Sequence, residues 1–168
     1  MVAQRIIVAV EDSATASVVA TAAAHLAMDE GVREVILAHV FDEHTIANTV
    51  FGLAPVSVPI LESTEEGEQV LALAEAALQA EYAAQHRDLP QIRRTLRAGR
   101  AGQALADLAT ETGAAAIVLG ARRPHAFGRL THPDVRAYLA HHTTTPVRVV
   151  MLQADVTSPP PAGPSTHV

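Results

Sequence analysis

Residues 98–150 read AGRAGQALADLATETGAAAIVLGARRPHAFGRLTHPDVRAYLAHHTTTPVRVV. After the glycine-bearing turn at Gly99 to Gly102, Leu105, Leu108, Ala109 and Thr112 recur at helical spacing, and Gly113 is placed to close that helix. The run AAAIVL at 114–119 is short, uncharged and apolar, the pattern of a strand buried on both faces. Val135, Leu139 and His142 mark another helix, and Pro146 opens PVRVVML at 146–152, a further apolar strand. Helix and strand therefore alternate, each strand too apolar to have a wet face.

The same alternation extends towards the N-terminus. RIIVAV at 5–10 is a β-branched strand run, and Glu11-Asp12-Ser13 offers caps for the alanine-rich helix expected over 14–29, with Ser13 as the expected cap and Gly31 as its end. EVILAHV at 34–40 is a second strand. From 41 to 61 no period holds and Pro55 and Pro59 intervene, which predicts a long irregular loop of the kind used as a lid or partner surface. Ser63-Thr64-Glu65-Glu66 reads as a capping box, so the next helix is expected to begin there, with Leu71, Ala74, Leu78 and Tyr82 on one face and Pro90 at its exit. QIRRTL at 91–96, flanked by Arg97, reads as an edge strand kept soluble by charge. Five strands alternating with helices predict an α/β fold: a parallel five-stranded sheet covered by helices on both faces, a three-layer sandwich. One domain over 1–152 is expected, followed by a disordered Pro-rich tail at 153–168 that holds Pro159, Pro160, Pro161 and Pro164.

Composition narrows the chemistry. The chain has 168 residues, suited to one domain, with 12 Lys+Arg against 18 Asp+Glu and a formal charge of −6. That balance argues against nucleic-acid binding. All 12 basic residues are arginine. Without lysine there is no Schiff base and no Walker-type lysine; without cysteine there is no thiol nucleophile, disulfide or Cys-type metal site. Alanine supplies 33 residues and aromatics 3%, so the core is expected to be built from small aliphatic side chains. The N-terminal apolar run is too short for a signal peptide, and no stretch reaches the roughly 18 apolar residues of a membrane helix. A cytoplasmic protein without membrane contact is expected.

In an open parallel sheet, ligands bind beyond the carboxyl ends of the strands, where strand order reverses. Glu11-Asp12 after the first strand invites comparison with a phosphoacceptor receiver, but the required lysine is absent and Gly99-Arg100 stands where an aspartate is needed. A dinucleotide fingerprint fails because 11–17 contains no glycine. Nine histidines raise the question of a metal, yet His141 and His142 are adjacent and point about 100° apart on a helix. His39, His44, His125 and His132 would have to converge through folding. Ser13 is explained as a cap rather than a nucleophile, since Gly-x-Ser-x-Gly is absent. Arg93, Arg94, Arg97 and Arg100 read as the solvated side of an edge strand.

Taken in order, Ile7-Val8-Ala9-Val10-Glu11-Asp12-Ser13, Gly113-Ala114, Ile117-Val118-Leu119-Gly120 and Pro146-Val147-Arg148-Val149-Val150 make the chain, over roughly residues 4–152, resemble the universal stress protein family. The resemblance implies strand order 3-2-1-4-5, an adenine nucleotide alpha hydrolase-like fold, a stress-response role and a homodimer joined through the last strand. Residues 146–152 support the dimer separately: an apolar strand at a sheet edge must find a partner or aggregate.

Nucleotide-binding members of that family carry Gly-x-x-Gly, nine residues, then Gly-Ser or Gly-Thr, because glycines let backbone amides approach phosphates. Counting without gaps, Gly120 matches the first glycine, but Arg123, Pro133 and Asp134 stand at the other three positions. A backbone amide to a charged acceptor contributes about 1.5–3 kcal/mol, and Pro133 has no amide. A carboxylate some 4 Å from a phosphate charge repels it by roughly 4 kcal/mol at an effective dielectric near 20. Tight ATP binding is therefore not expected, and the chain reads as a non-enzymatic module without a cofactor. Arg122, Arg123 and Arg129 leave three arrangements open: solvated loop arginines, a small-anion site, or a nucleotide held by side chains. The alternative function is adenine-nucleotide binding (ATP, AMP or cAMP) with at most weak hydrolysis or phosphotransfer. In that case Val10, Glu11 and Val40 flank base and ribose, with Gly120 and Arg122 near the phosphates; Arg123 and Asp134 complete the candidate pocket.

Overall fold

Side chains of the first strand alternate between two apolar layers: Ile6, Val8 and Val10 enter one and Ile7 and Ala9 the other, and none of Ile6, Ile7 and Val8 retains any exposure. A computed structural model describes residues 4–41, 58–122 and 135–152 of the chain. Its strands are β1 (Arg5–Ala9), β2 (Glu34–Phe41), β3 (Gln91–Ala98), β4 (Ala116–Arg122) and β5 (Val147–Leu152). They alternate with α1 (Ser13–Glu30), α2 (Val58–Ala84), α3 (Ala101–Thr112) and α4 (Val135–His142). All four strand pairings are parallel and the order is β3-β2-β1-β4-β5, so the expected three-layer α/β architecture is the one observed. One layer packs α1 and α2 against Val8, Leu37 and Val118; the other packs α3 and α4 against Ile7, Ile36 and Ile117.

Alanine sets the spacing of the first layer. Ala16, Ala20, Ala23, Ala24 and Ala27 of α1 are wholly buried, and so is Ala74 of α2. These small faces let the helices approach both the sheet and one another. The face expected for α2, Leu71, Ala74, Leu78 and Tyr82, is buried as read. Gly31 (φ 65°) and Gly113 (φ 61°) end α1 and α3 in the left-handed conformation, also as read.

Three expectations need correction. The cap of α1 is Asp12, not Ser13: Asp12 Oδ1 accepts from the Thr15 amide at 2.9 Å, and Ser13 is the first helical residue. The helix α2 begins at Val58, so residues 63–66 lie inside it and the capping-box reading fails. Pro59 is compatible with this start because a first-turn amide has no intrahelical acceptor to lose. Of the stretch expected to be irregular, 41–61, Phe41 closes β2 and residues 58–61 belong to α2. Finally, the β3 arginines are paired rather than merely solvated. Arg93 meets Glu34 (3.5 Å), Arg94 meets Glu75 (3.4 Å) and Glu68 (3.9 Å), and Arg97 meets Glu111 (2.5 Å). Residues 42–57 of the expected loop, Arg129, His44, His125, His132 and the 153–168 tail lie outside the described residues.

A polar tie joins α1 to α2. His25 Nε2 and Glu81 Oε1 are 2.7 Å apart, and Gln85 donates to the same oxygen at 3.1 Å. The hydrogen bond to His25, then that from Gln85, holds the Glu81 carboxyl below its ordinary value. A carboxylate lowered by folding stabilises the fold above its unfolded-state value, and this contribution is lost as pH falls through the lower, folded-state value. In urea unfolding at a series of pH values, the gap between wild type and Glu81→Gln is therefore expected to be open at neutral pH and to close in acid. A gap that persists once the carboxylate is protonated would contradict this origin.

Candidate functional site

Strand order reverses between β1 and β4; of the candidate residues, Val10 and Glu11 follow β1, while Gly120 and Arg122 belong to the end of β4. Ala9 is in register with Ala38 on one side and Leu119 on the other. Beyond that row, Val10 follows β1 and donates its amide to the Ala38 carbonyl at 2.9 Å, while His39 is in register with Leu96 and Gly120 with Val150. Leu96, Val10 and Val150 face the layer of α1 and α2. Val10 and Gly120 each follow directly on the paired residues Ala9 and Leu119 of neighbouring strands. Val40 packs against the opposite layer, with α3 and α4, so the three do not share one face. Glu11 follows β1 and is exposed. Arg122 ends β4, but its side chain, like Arg123 and Asp134 as a whole, lies outside the described residues.

Packing alone accounts for a glycine at 120. A Cβ there would stand 2.7 Å from Val19 Cγ2 and 3.2 Å from Leu152 Cδ1. Val19 is 2% exposed and stiff at χ1, so it cannot swing aside without disturbing α1. Gly120→Ala is expected to lower stability by about 1–3 kcal/mol through overpacking, read as a lower urea midpoint; an unchanged midpoint would show that α1 has slack.

Electrostatics at the start of α1 also disfavour a bound anion there. Asp12 Oδ1 accepts both the Thr15 amide (2.9 Å) and the Thr15 hydroxyl (3.0 Å), while the Asp12 carbonyl takes the Ala16 amide at 3.0 Å. A carboxylate already occupies the positive end of the helix dipole. Among the described residues, no group of three His, Asp or Glu side chains is placed to hold a metal ion, and no helix is long and apolar enough to cross a membrane.

Gly67 escaped the sequence reading, and His39 entered it only among the possible metal ligands. His39 is 8% exposed, and its Nδ1 is 2.9 Å from the Val10 carbonyl oxygen. Gly67 of α2 lies against the His39 ring and Leu96: a Cβ there would stand 2.8 Å from His39 Cδ2 and 2.6 Å from Leu96 Cδ2. Each left a sequence signal, a polar residue within EVILAHV and a lone glycine within a helical run.

The sequence model of the universal stress protein family matches residues 3–151. Among solved structures, a protein of that family from Burkholderia pseudomallei is 26% identical, with 88% of this chain and 96% of that chain covered and a TM-score of 0.63. A universal stress protein in complex with cAMP is 21% identical, with 88% of this chain and 96% of that chain covered and a TM-score of 0.61. The universal stress protein from Archaeoglobus fulgidus in complex with dAMP is 22% identical, with 89% of this chain and 98% of that chain covered and a TM-score of 0.59. At these identities the last two establish likeness of fold. No curated protein matches the chain.

Proposed function

The chain belongs to the universal stress protein family, and on that premise we propose that it is a non-enzymatic stress-response module of the cytoplasm that does not grip a triphosphate. The observation that carries this reading is the occupancy of the phosphate-cradle positions: Arg123, Pro133 and Asp134 stand where nucleotide-binding members have glycine, glycine and a hydroxyl. Pro133 offers no amide, and Asp134, immediately before α4, sets a negative charge against phosphate. Gly120, the one match, has a sufficient cause in Val19 and Leu152. The small molecules released on denaturing the purified protein test the reading: a mass spectrum without stoichiometric ATP is expected, and ATP at one equivalent per chain would overturn it.

A second reading, adenine-nucleotide binding through base and ribose, draws on two observations. β1, which Val10 follows, and β4, which holds Gly120, pair side by side at the switch point, and structural neighbours were solved with cAMP and dAMP. Calorimetric titration with AMP and cAMP discriminates: saturable heats support this second reading, and silence with both removes it. A homodimer along β5 belongs to the same proposal. β5 is an edge strand, and its Met151 is 56% exposed. A monomer in analytical ultracentrifugation would contradict the dimer.

A further inference from the structure

His39 and Gly67 each break a local rule: one places a polar ring in a buried strand, the other places glycine inside a helix, where it is weaker than alanine. The contacts explain the two together. The ring sits where a Cβ on Gly67 would intrude, at 2.8 Å from Cδ2, and its Nδ1 reaches the Val10 carbonyl at 2.9 Å. We propose that His39 is the positioning residue of the site at the ends of β1 and β4, fixing the Val10–Glu11 peptide so that the Glu11 amide is turned away from β2 and towards the β4 side. This rests on the second reading above, in which base and ribose lie at the end of β1.

The geometry follows from elementary constraints. A carbonyl oxygen only accepts, so the His39 nitrogen that meets it carries the proton, and a neutral His39 is the Nδ1–H tautomer. The Val10 amide donates to the Ala38 carbonyl at 2.9 Å, so both polar groups of Val10 are engaged by β2. No described peptide is cis, and in a trans peptide the N–H points opposite to the preceding C=O. Pinning the Val10 carbonyl towards His39 therefore directs the Glu11 N–H the other way. An amide held in place before a ligand arrives binds better than one that must be ordered. A ring that only filled the core would be replaceable by an apolar side chain; one that positions the peptide needs a donor at the Nδ1 location, which the asparagine amide nitrogen supplies.

The test has two parts, both on the full chain. A long-range 1H–15N spectrum of the ligand-free protein is expected to show His39 as the Nδ1–H tautomer, and the Nε2–H tautomer would overturn the proposal. Calorimetry with AMP then compares wild type with His39→Asn, His39→Leu and Gly67→Ala. Asparagine is expected to keep affinity within about twofold, whereas leucine weakens it about tenfold. Gly67→Ala, which keeps every hydrogen-bonding group but crowds the ring, is expected to weaken binding as leucine does, and it carries the comparison if the leucine variant does not fold. Wild-type affinity in the leucine variant, or equal losses for asparagine and leucine, would overturn the positioning role. If wild type binds no AMP, the nucleotide reading falls by itself, and the tautomer alone decides whether His39 pins the Val10 peptide.

Discussion

The combined variant Arg123→Gly, Pro133→Gly and Asp134→Ser is expected to bind ATP about a hundredfold more tightly than wild type, a gain of about 2.7 kcal/mol. Two changes act in the same direction. Pro133→Gly restores a backbone amide and Arg123→Gly clears a side chain from another, an amide being worth about 1.5–3 kcal/mol to a charged acceptor. Serine removes a carboxylate whose repulsion reaches roughly 4 kcal/mol at 4 Å and an effective dielectric near 20. Added glycine raises the cost of ordering the chain by about 0.5–1 kcal/mol per residue, which holds the net gain well below the sum. Calorimetry with ATP and AMP side by side checks the assignment: the gain is expected to be much smaller for AMP, which lacks the outer phosphates. An equal gain for both nucleotides would place the effect outside a triphosphate cradle.

The second large effect is on stability. Glu34→Ala is expected to destabilise the fold by about 3 kcal/mol, towards the lower end of the range for breaking a buried ion pair. Glu34 is 6% exposed and begins β2, where it takes the Arg5 Nε at 2.8 Å and Nη2 at 2.6 Å, with Arg93 at 3.5 Å. Arg5 also donates to the Thr112 carbonyl at the end of α3, so one carboxylate organises the starts of three neighbouring strands and a helix terminus. Its removal leaves two guanidinium groups facing each other's charge. Arg5 and Arg93 keep 30% and 49% of their side chains exposed, and water reaching them is why the larger values of the range do not apply. By contrast, Arg97→Ala, which removes the exposed Arg97–Glu111 pair, is expected to cost under about 1 kcal/mol. Urea unfolding of both variants measures the difference; a Glu34→Ala loss no larger than that of Arg97→Ala would show that the cluster contributes only as surface charge.

Much of the fold was legible because its signals are local. Apolar β-branched runs, terminating glycines at 31 and 113 and the Leu71–Tyr82 spacing each report the burial of the segment that contains them. The errors arose where two local signals competed. Ser63-Thr64-Glu65-Glu66 satisfies the pattern of a helix start, but Pro59 satisfies it as well, five residues before Thr64, and the helix begins at Val58. Asp12 and Ser13 are both good caps; the choice of Asp12 puts its carboxylate on Thr15. The pairing of Arg94 with Glu68 and Glu75 could not be read because those residues come from separate elements, α2 and β3. His39 was read only as a possible metal ligand for the same reason, since its contacts with Val10 and Gly67 exist only once β2 lies beside β1 and α2 covers it. Val10 and Gly120 were legible as strand-end residues, whereas the opposite facing of Val40 follows from strand parity, which sends consecutive side chains to opposite layers.

The most direct measurement is a calorimetric titration of the purified wild-type chain with ATP. No saturable binding below about millimolar concentration is expected on the proposed reading, in which Pro133 withholds an amide and Asp134 sets a negative charge against a triphosphate. A dissociation constant in the micromolar range would contradict that conclusion and return the protein to the ATP-gripping members of its family.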